Sequence, residues 1–456
     1  MIWKPKKGHK PSHLNDFAWF RFTPRRSTPR NRQSGSPIDA LLLRHPIPPG
    51  KRWHPTRPAL TLAPPKLTPT LQRYPQPALL PKPPEPSFPT GDDLWPIAAE
   101  EIAQAIRHRS ELADWAAYDS PIKDDLIRSL CETFGVNHAR PVSSGSLAVE
   151  LALRSSGVGP GDGVVVAAFD YPGNFRAVEL LGARPVLADI DPDRASMSAT
   201  SLDEIAGSDV AKSVKAVVVS HLFGQPADIA RISQRCHEHG WTLIEDACQV
   251  SGMRIGGQPA GCFGDVATLS FGGSKPLTSG GGGAVLTDDD AIAARLRSLA
   301  DRPSDAFGIS TFQAAVLLPQ LKKLADATIA REARVAELLQ SLSSRLDRWQ
   351  RVAAPAESSN DDVGCHYKIA WLVADESTRD HVIRLGQSNG VPLGQAFRSM
   401  HRSSPRRCDR PVPLNHSRQF GDRCVLLDHR AIASADFNAD RLADRIAEIA
   451  EEAEQR

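Results

Sequence analysis

Residues 241–286 read WTLIEDACQVSGMRIGGQPAGCFGDVATLSFGGSKPLTSGGGGAVL, and this stretch decides the fold class. It holds three short apolar runs, at 241–246 (WTLIED), 265–270 (DVATLS) and 283–286 (GAVL), separated by glycine-rich and polar segments. Apolar runs of this length suit strands buried on both faces, as in a parallel sheet covered by helices. Working outward, further runs stand at 215–220 (KAVVVS), 184–189 (RPVLAD) and 163–168 (GVVVAA), with a short strand at 139–142. Segments of helical length, such as 146–156 and 226–239, separate most of them. The alternation predicts an α/β fold built on a seven-stranded, mostly parallel sheet. Helices are expected at 97–108 and 121–134 before it, and at 290–301 and 313–343 after it. A strand at 366–373, a helix at 378–389 and a closing helix near 439–454 predict a smaller C-terminal α+β domain. The expected division is an extension over 1–94, a large domain over 95–325 and a small domain over 326–456.

Composition agrees with this plan for residues 95 onward and sets the start apart. The chain has 456 residues, 41% hydrophobic and 24% charged, with a formal net charge of +2. That small net charge hides a division. Residues 1–90 carry 16 Lys+Arg against Asp16, Asp39 and Glu85, which leaves 39 Lys+Arg against 50 Asp+Glu elsewhere. Residues 1–94 also hold 20 of the 37 prolines. Proline removes backbone donors and blocks helix and sheet, so a disordered or polyproline-like extension is expected there. Its charge alone would suit an anionic surface, but the blander readings are a passenger extension or a start codon placed too early. Nucleic acid is not expected as a partner of the acidic body. No run reaches the roughly 18 apolar residues of a membrane helix, so no membrane partner is expected. Seven scattered cysteines without a C-x-x-C pair point to reduced thiols in a cytoplasmic compartment and to no metal site.

The chemistry gathers where open α/β sheets bind ligands, at the carboxyl ends of strands. The first strand runs into Ser143-Ser144-Gly145-Ser146 and a helix. Small residues let backbone N–H groups approach an anion, although serine there is equally an ordinary N-cap. Strand 241–246 ends in Glu245-Asp246-Ala247-Cys248-Gln249. Alternation lets only one of the two acids face a given side. A carboxylate there could hold a protonated ring nitrogen, as pyridoxal-phosphate (PLP) chemistry requires; the alternative is an acid marking the exit from a strand. Strand 265–270 ends in Ser270-Phe271-Gly272-Gly273-Ser274-Lys275. A lysine in a serine-lined glycine loop beside buried strands suits a Schiff-base amine. Each feature alone is weak; their conjunction on successive strand ends carries the weight.

From Trp95 to about residue 450 the chain resembles the DegT/StrS family of PLP-dependent sugar aminotransferases, of fold type I. The matching segments are SSGSLAVELAL (143–153), GVGPGDGVVVAAFDY (157–171), GARPVLADIDPD (182–193), HLFGQPADI (221–229), LIEDACQVSG (243–252), GDVATLSFGGSK (264–275) and GGGGAVLTDD (280–289). The resemblance implies that Lys275 forms the Schiff base with the cofactor and shuttles protons. It implies that Asp246 pairs with the pyridine nitrogen, that Gln249 lies near the ring hydroxyl and that Tyr171 stacks on the ring. Gly145, Ser146 and Ser270 match the phosphate cup. It further implies a cytoplasmic homodimer that moves an amino group from an amino acid, glutamate by preference, to a nucleotide-linked keto-sugar. Such a reaction belongs to polysaccharide, O-antigen or secondary-metabolite biosynthesis. Lys275 argues against the dehydratase branch, where histidine takes its place.

Three departures keep alternatives open. Ala306 and Gly308 stand where the family shows N-x-R ahead of Gln313-Ala314-Ala315, the stretch 302–312 is short, and glycines fill 280–283 where the family has G-D-G-G. A non-catalytic or regulatory homologue, or an aminotransferase for a non-sugar ketone, therefore stands beside the main reading. In the small domain, His366 and the 394–408 stretch (GQAFRSMHRSSPRRC) are candidates to face substrate, its basic residues Arg398, His401, Arg402, Arg406 and Arg407 suiting a nucleotide diphosphate or, equally, a solvated loop.

Overall fold

The computed structural model describes residues 94–117, 119–301, 305–353 and 362–455. The expected extension over 1–94 lies outside these, Leu94 excepted, as do residues 302–304 of the shortened stretch.

Two helices, α1 (Ala99–Leu112) and α2 (Pro121–Phe134), precede the first sheet. In α2 the proline sits in the first turn, where its missing N–H costs nothing, and Ile122, Leu126, Leu130 and Phe134 bury one face at helical spacing. The chain then alternates: β1 (His138–Val142), α3 (Gly145–Ser155), β2 (Gly163–Ala167), α4 (Pro172–Leu180), β3 (Arg184–Ala188), α5 (Ala199–Ala206), β4 (Val214–Ser220), α6 (Ile229–His239) and β5 (Thr242–Asp246). A two-residue hairpin, β6 (Arg254–Ile255) and β7 (Gln258–Pro259), follows. Next come β8 (Val266–Ser270), β9 (Gly283–Thr287) and α7 (Asp290–Ala300). The seven long strands form one sheet in the order β1-β9-β8-β5-β4-β2-β3. All are parallel except β9, which runs antiparallel to both neighbours.

Both faces of this sheet are covered. On β2, Val165 and Ala167 enter one apolar core with Val217, Val219 and helices α5 and α6. Val164 and Val166 enter the opposite core with Val218 and helices α3, α4 and α7. Each buried valine is worth about 1.5–3 kcal/mol. A one-residue slip would exchange the two faces, so the register is strongly fixed.

Helix α8 (Thr311–Leu342) is 32 residues long and opens on a capping box in which Ser310 and Gln313 satisfy each other's backbone N–H. The division expected between 325 and 326 falls inside it, so one continuous helix joins the first sheet to the second. That second sheet is antiparallel, in the order β10 (Gln350–Val352), β11 (Lys368–Leu372), β13 (Cys424–Asp428), β12 (Leu393–Gln395). Helices α9 (Glu376–Ser388), α10 (Asn415–Arg423), the single turn α11 (Arg430–Ala433) and α12 (Ala439–Glu454) complete the chain. Leu338, Trp371, Val382, Val425 and Ile446 share its core. Among the described residues no helix is long and apolar enough to cross a membrane.

Candidate active site

A cavity of about 460 Å³ opens at the carboxyl ends of the parallel strands, and Gly145, Ser146, Tyr171, Asp246, Gln249, Ser270 and Lys275 all line it. The structure thus brings the seven residues expected to hold the cofactor to one place.

One end of the cavity is a cup made by three chain-distant segments. The Ser144 side chain caps α3 by accepting from Leu147 N at 3.1 Å, which leaves the N–H groups of the first helical turn facing outward. Ser270 ends β8 directly opposite. A Cβ on Gly145 would lie 2.7 Å from the Ser270 Cβ, so only glycine permits this approach. Ser144 also bridges to Gly282, whose φ of 119° is a conformation glycine alone adopts readily. Gly282 and Gly283, which keep the family pattern, are the sterically required glycines of this run, whereas a Cβ on the departing Gly281 would meet only Gln313 Nε2 at 3.6 Å; Gly281 and Gly282 line the cavity. Backbone amides, two serine hydroxyls and a helix dipole favour an anion here.

The floor is Asp246, at the end of β5. Its Oδ1 accepts from Cys248 N at 3.0 Å and its Oδ2 from Asn174 Nδ2 at 2.9 Å and Ser220 Oγ at 3.3 Å. These contacts fix the carboxylate toward the cavity. The neighbouring Glu245 points to the other face, as strand alternation requires. There it is fully buried and accepts from Gly261 N at 2.5 Å and Phe263 N at 2.9 Å, with His221 Nε2 at 2.8 Å. Strand alternation alone left the choice between the two acids open, and the resemblance pointed to Asp246; the sheet turns Asp246 to the cavity and Glu245 to a loop. Gln249 accepts from Phe223 N through Oε1 at 3.0 Å, which fixes its amide orientation and leaves its NH2 as a donor.

Over this floor stands Tyr171, its hydroxyl 3.2 Å from Ser146 Oγ. Gly173 makes room for the ring, since a Cβ there would lie 2.1 Å from Tyr171 Cε1. Lys275 extends from the loop after β8, which is held by Trp95 Nε1 donating to Lys275 O at 2.8 Å and by His429 Nε2 contacting Ser274 O at 3.0 Å. Among the described residues no hydrogen bond or ion pair engages Lys275 Nζ, which lies 4.5 Å from the centroid of the Tyr367 ring. Lys368 Nζ lies 4.6 Å from the same ring and is paired with Asp428. Burial pushes the Asp428 carboxyl up, but Arg430 and Lys368 outweigh it and hold the group well below the usual carboxylate range.

Sequence reasoning missed Tyr367 and Lys368, whereas Gln395 and Phe397 belong to the 394–408 stretch expected to face substrate; all four line the cavity from the second sheet. It also missed Asn174 and Ser220. The only signal for Tyr367 and Lys368 was their place beside His366. His366 itself does not line the cavity; burial, then Arg351 and Arg331, lowers its pKa to about 4. The basic side chains of the 394–408 stretch are not among the cavity's lining either. Arg407 pairs with Glu179 at 2.6 Å and Arg402 with Asp422 at 3.5 Å, on the outer surface. Ala306 and Gly308 are likewise not among its lining; Phe307 O instead accepts from Ser143 N at 2.8 Å, behind the cup.

An anion cup at one end, a fixed carboxylate at the other, an aromatic ring above and an unengaged amine beside them match a flat, phosphorylated pyridine aldehyde. A sequence model of the DegT/DnrJ/EryC1/StrS aminotransferase family matches residues 96–445. Among curated relatives, a GDP-perosamine synthase from Caulobacter vibrioides is 32% identical over 291 residues, covering 61% of this chain and 76% of that protein. An L-glutamine:2-deoxy-scyllo-inosose aminotransferase from Streptoalloteichus tenebrarius is 31% identical, covering 68% and 78%. Among solved structures, a DegT DnrJ EryC1 StrS aminotransferase from Brucella abortus superposes with a TM-score of 0.68 at 26% identity, covering 77% of this chain and 95% of that one. A 3-amino-5-hydroxybenzoic acid synthase gives 0.70 at 25% identity, covering 80% and 99%. This chain belongs to the DegT/DnrJ/EryC1/StrS aminotransferase family and is a PLP-dependent transaminase of fold type I.

Proposed function

We propose that this enzyme transfers an amino group from an amino acid, glutamate by preference, to a keto-sugar carried on a nucleotide, in the cytoplasm and as a homodimer. The observation that carries the site assignment is the unengaged Lys275 amine in one cavity with Asp246 and the anion cup. When bound, PLP supplies an electron sink for the carbon that exchanges its amino group. Gly145, Ser146 and Ser270 would hold the phosphate with backbone and hydroxyl donors. Asp246 would keep the ring nitrogen protonated, Gln249 would offer its NH2 to the ring oxygen, and Tyr171 would cover the ring. Lys275 Nζ would anchor the cofactor, and its amine would carry the proton between carbon and nitrogen of the substrate. Residues 95–325 then form the cofactor-binding domain and 326–456 the domain that brings Tyr367, Lys368 and Phe397 over it. The exposed large apolar side chains of Leu112, Trp115 and Phe307 support a second copy as partner. The GDP-perosamine synthase relatives support an acceptor in polysaccharide biosynthesis.

A second reading changes only the acceptor. The inosose aminotransferase relative covers more of this chain, which favours a cyclic ketone without a nucleotide. Borohydride treatment of the loaded protein should fix the cofactor to Lys275, and Lys275→Ala should abolish both that linkage and amino transfer. Cofactor trapped on another lysine, or an active Lys275→Ala enzyme, would overturn the assignment. The protein carrying the amino form of the cofactor should then be consumed by nucleotide-linked keto-sugars. Consumption by inosose alone favours the second reading, and consumption by no ketone favours a non-catalytic role.

A further inference from the structure

The Asp246 carboxylate has a second acid behind it. Asp170, in the turn between β2 and α4, is fully buried, and its Oδ1 accepts from Tyr171 N at 2.6 Å. Its Oδ2 lies 2.9 Å from Ser220 Oγ and 3.2 Å from Asn174 Nδ2. These are the same hydroxyl and amide that reach Asp246 Oδ2. Two carboxyl groups therefore converge on one O–H and one NH2. Among the described residues neither carboxyl is drawn into an ion pair with lysine, arginine or histidine. The groups around Asp170 are Asp246 from the end of β5, Ser220 from the end of β4, and Asn174 and Tyr171 from the start of α4; Cys248 meets Asp246, and His221 turns to Glu245.

We propose that Asp170 is a positioning residue that retains a proton and, through Ser220 and Asn174, sets the charge and hydrogen bonding of Asp246 beneath the cofactor. Two adjacent buried carboxyl groups without a cation do not both ionise readily; the pair titrates as a unit and keeps one proton. Burial, and then the Asp246 charge, push Asp170 up to about 7 against the pull of Ser220, Tyr171 N and Asn174. The balance of protons is simple. With Asp170 protonated at Oδ2, its O–H donates to Ser220 Oγ, and the Ser220 O–H is free to donate to Asp246 Oδ2. When Asp170 loses its proton to solvent, the Ser220 O–H turns to the nearer Asp170 Oδ2. Asp246 then loses a donor and gains a like charge beside it. The strength with which Asp246 holds the ring nitrogen thereby depends on a residue that never touches the ring.

The inference rests on Asp246 facing the cofactor, but its first test does not need the reaction. An acid whose folded value lies above its unfolded one binds an extra proton in the folded chain. Between the reference value of 3.8 and about 7, this makes the folding constant fall by up to tenfold per pH unit as pH rises. The full chain without cofactor should be unfolded in urea from pH 5 to 8, as wild type and as Asp170→Asn. The amide mimics the protonated acid, so the variant should gain on wild type by up to tenfold per unit up to pH 7 and no further. With cofactor at pH 6, Asp170→Asn should bind it within threefold of wild type, and the pH dependence of the bound cofactor's visible band near 7 should disappear. Parallel stability curves, or cofactor binding weakened more than tenfold at pH 6, would overturn the proposal. Should Asp170→Asn fail to fold, the infrared spectrum of the wild-type chain decides. A carboxylic-acid carbonyl band lost on raising the pH through about 7, and shifted by Ser220→Ala, supports the shared proton; no such band refutes it. If borohydride trapping shows a lysine other than Lys275, the proposed function fails while these stability curves keep their meaning.

Discussion

Replacing Ser270 by alanine isolates the cup from the rest of the site. The Ser270 Oγ makes one long contact within the chain, to Gly272 N at 3.4 Å, so its loss should change the stability of the cofactor-free protein by no more than about 0.5 kcal/mol. In the loaded protein the same hydroxyl would donate to a phosphate carrying close to two negative charges. A hydrogen bond to a charged group is worth about 1.5–3 kcal/mol, which is roughly a 10- to 150-fold change in Kd. Nothing nearby substitutes readily. Ser279 Oγ is committed to Gly281 O at 2.6 Å, Ser310 caps α8, and among the described residues the lysines lining the cavity are Lys275 and Lys368. Titrating the cofactor-free Ser270→Ala protein with PLP, followed by absorbance, gives Kd directly, and dialysis of the loaded variant should release the cofactor. A Kd within threefold of wild type would show that the phosphate is held elsewhere and that Gly145, Ser146 and Ser270 are not its cup.

Two further substitutions separate binding from folding. Gly173→Ala places a methyl group against Tyr171, so the ring must swing and forfeit stacking worth about 0.5–1.5 kcal/mol. Kd for PLP should rise roughly two- to tenfold while urea stability holds or improves slightly, because alanine favours the first turn of α4; unchanged affinity would remove Tyr171 from the ring face. Glu245→Ala should do the reverse. Leaving Gly261 N, Phe263 N and His221 without their acceptor costs about 3–5 kcal/mol and lowers Tm by on the order of 10 °C, with the visible band of bound cofactor unchanged. A shifted band would mean that Glu245 acts on the cofactor.

The first sheet was legible in the sequence because its strands are short, apolar and buried on both faces, so KAVVVS or GVVVAA has no competing reading. Of the second sheet, only the strand at 366–373 was. Leu393–Gln395 and Gln350–Val352 are three residues each, too short for any period to show. Residues 424–428 (CVLLD) are apolar but follow directly on a polar helix. Site residues at strand ends could be found because topology places them there. Tyr367 and Lys368 come from another sheet, and no spacing in the sequence says which side of β11 meets the cavity. Asp170 and Asn174 stand in DYPGN, which reads as a turn; only the fold shows that both turn inward to Ser220.

The strand β9 is inserted between β1 and β8, and Asn137 N donates to Asp288, 151 residues later. The cup therefore has no local precursor: Ser144, Ser270 and Gly282 meet only after the chain has closed its longest loop in the sheet. A nascent chain that has reached Lys275, on the loop after β8, holds the amine but lacks the glycine side of the cup. Retention of the cofactor is for that reason a report on completed topology. Fragments from limited proteolysis or truncation that end before residue 283 should lose it, whatever secondary structure they keep.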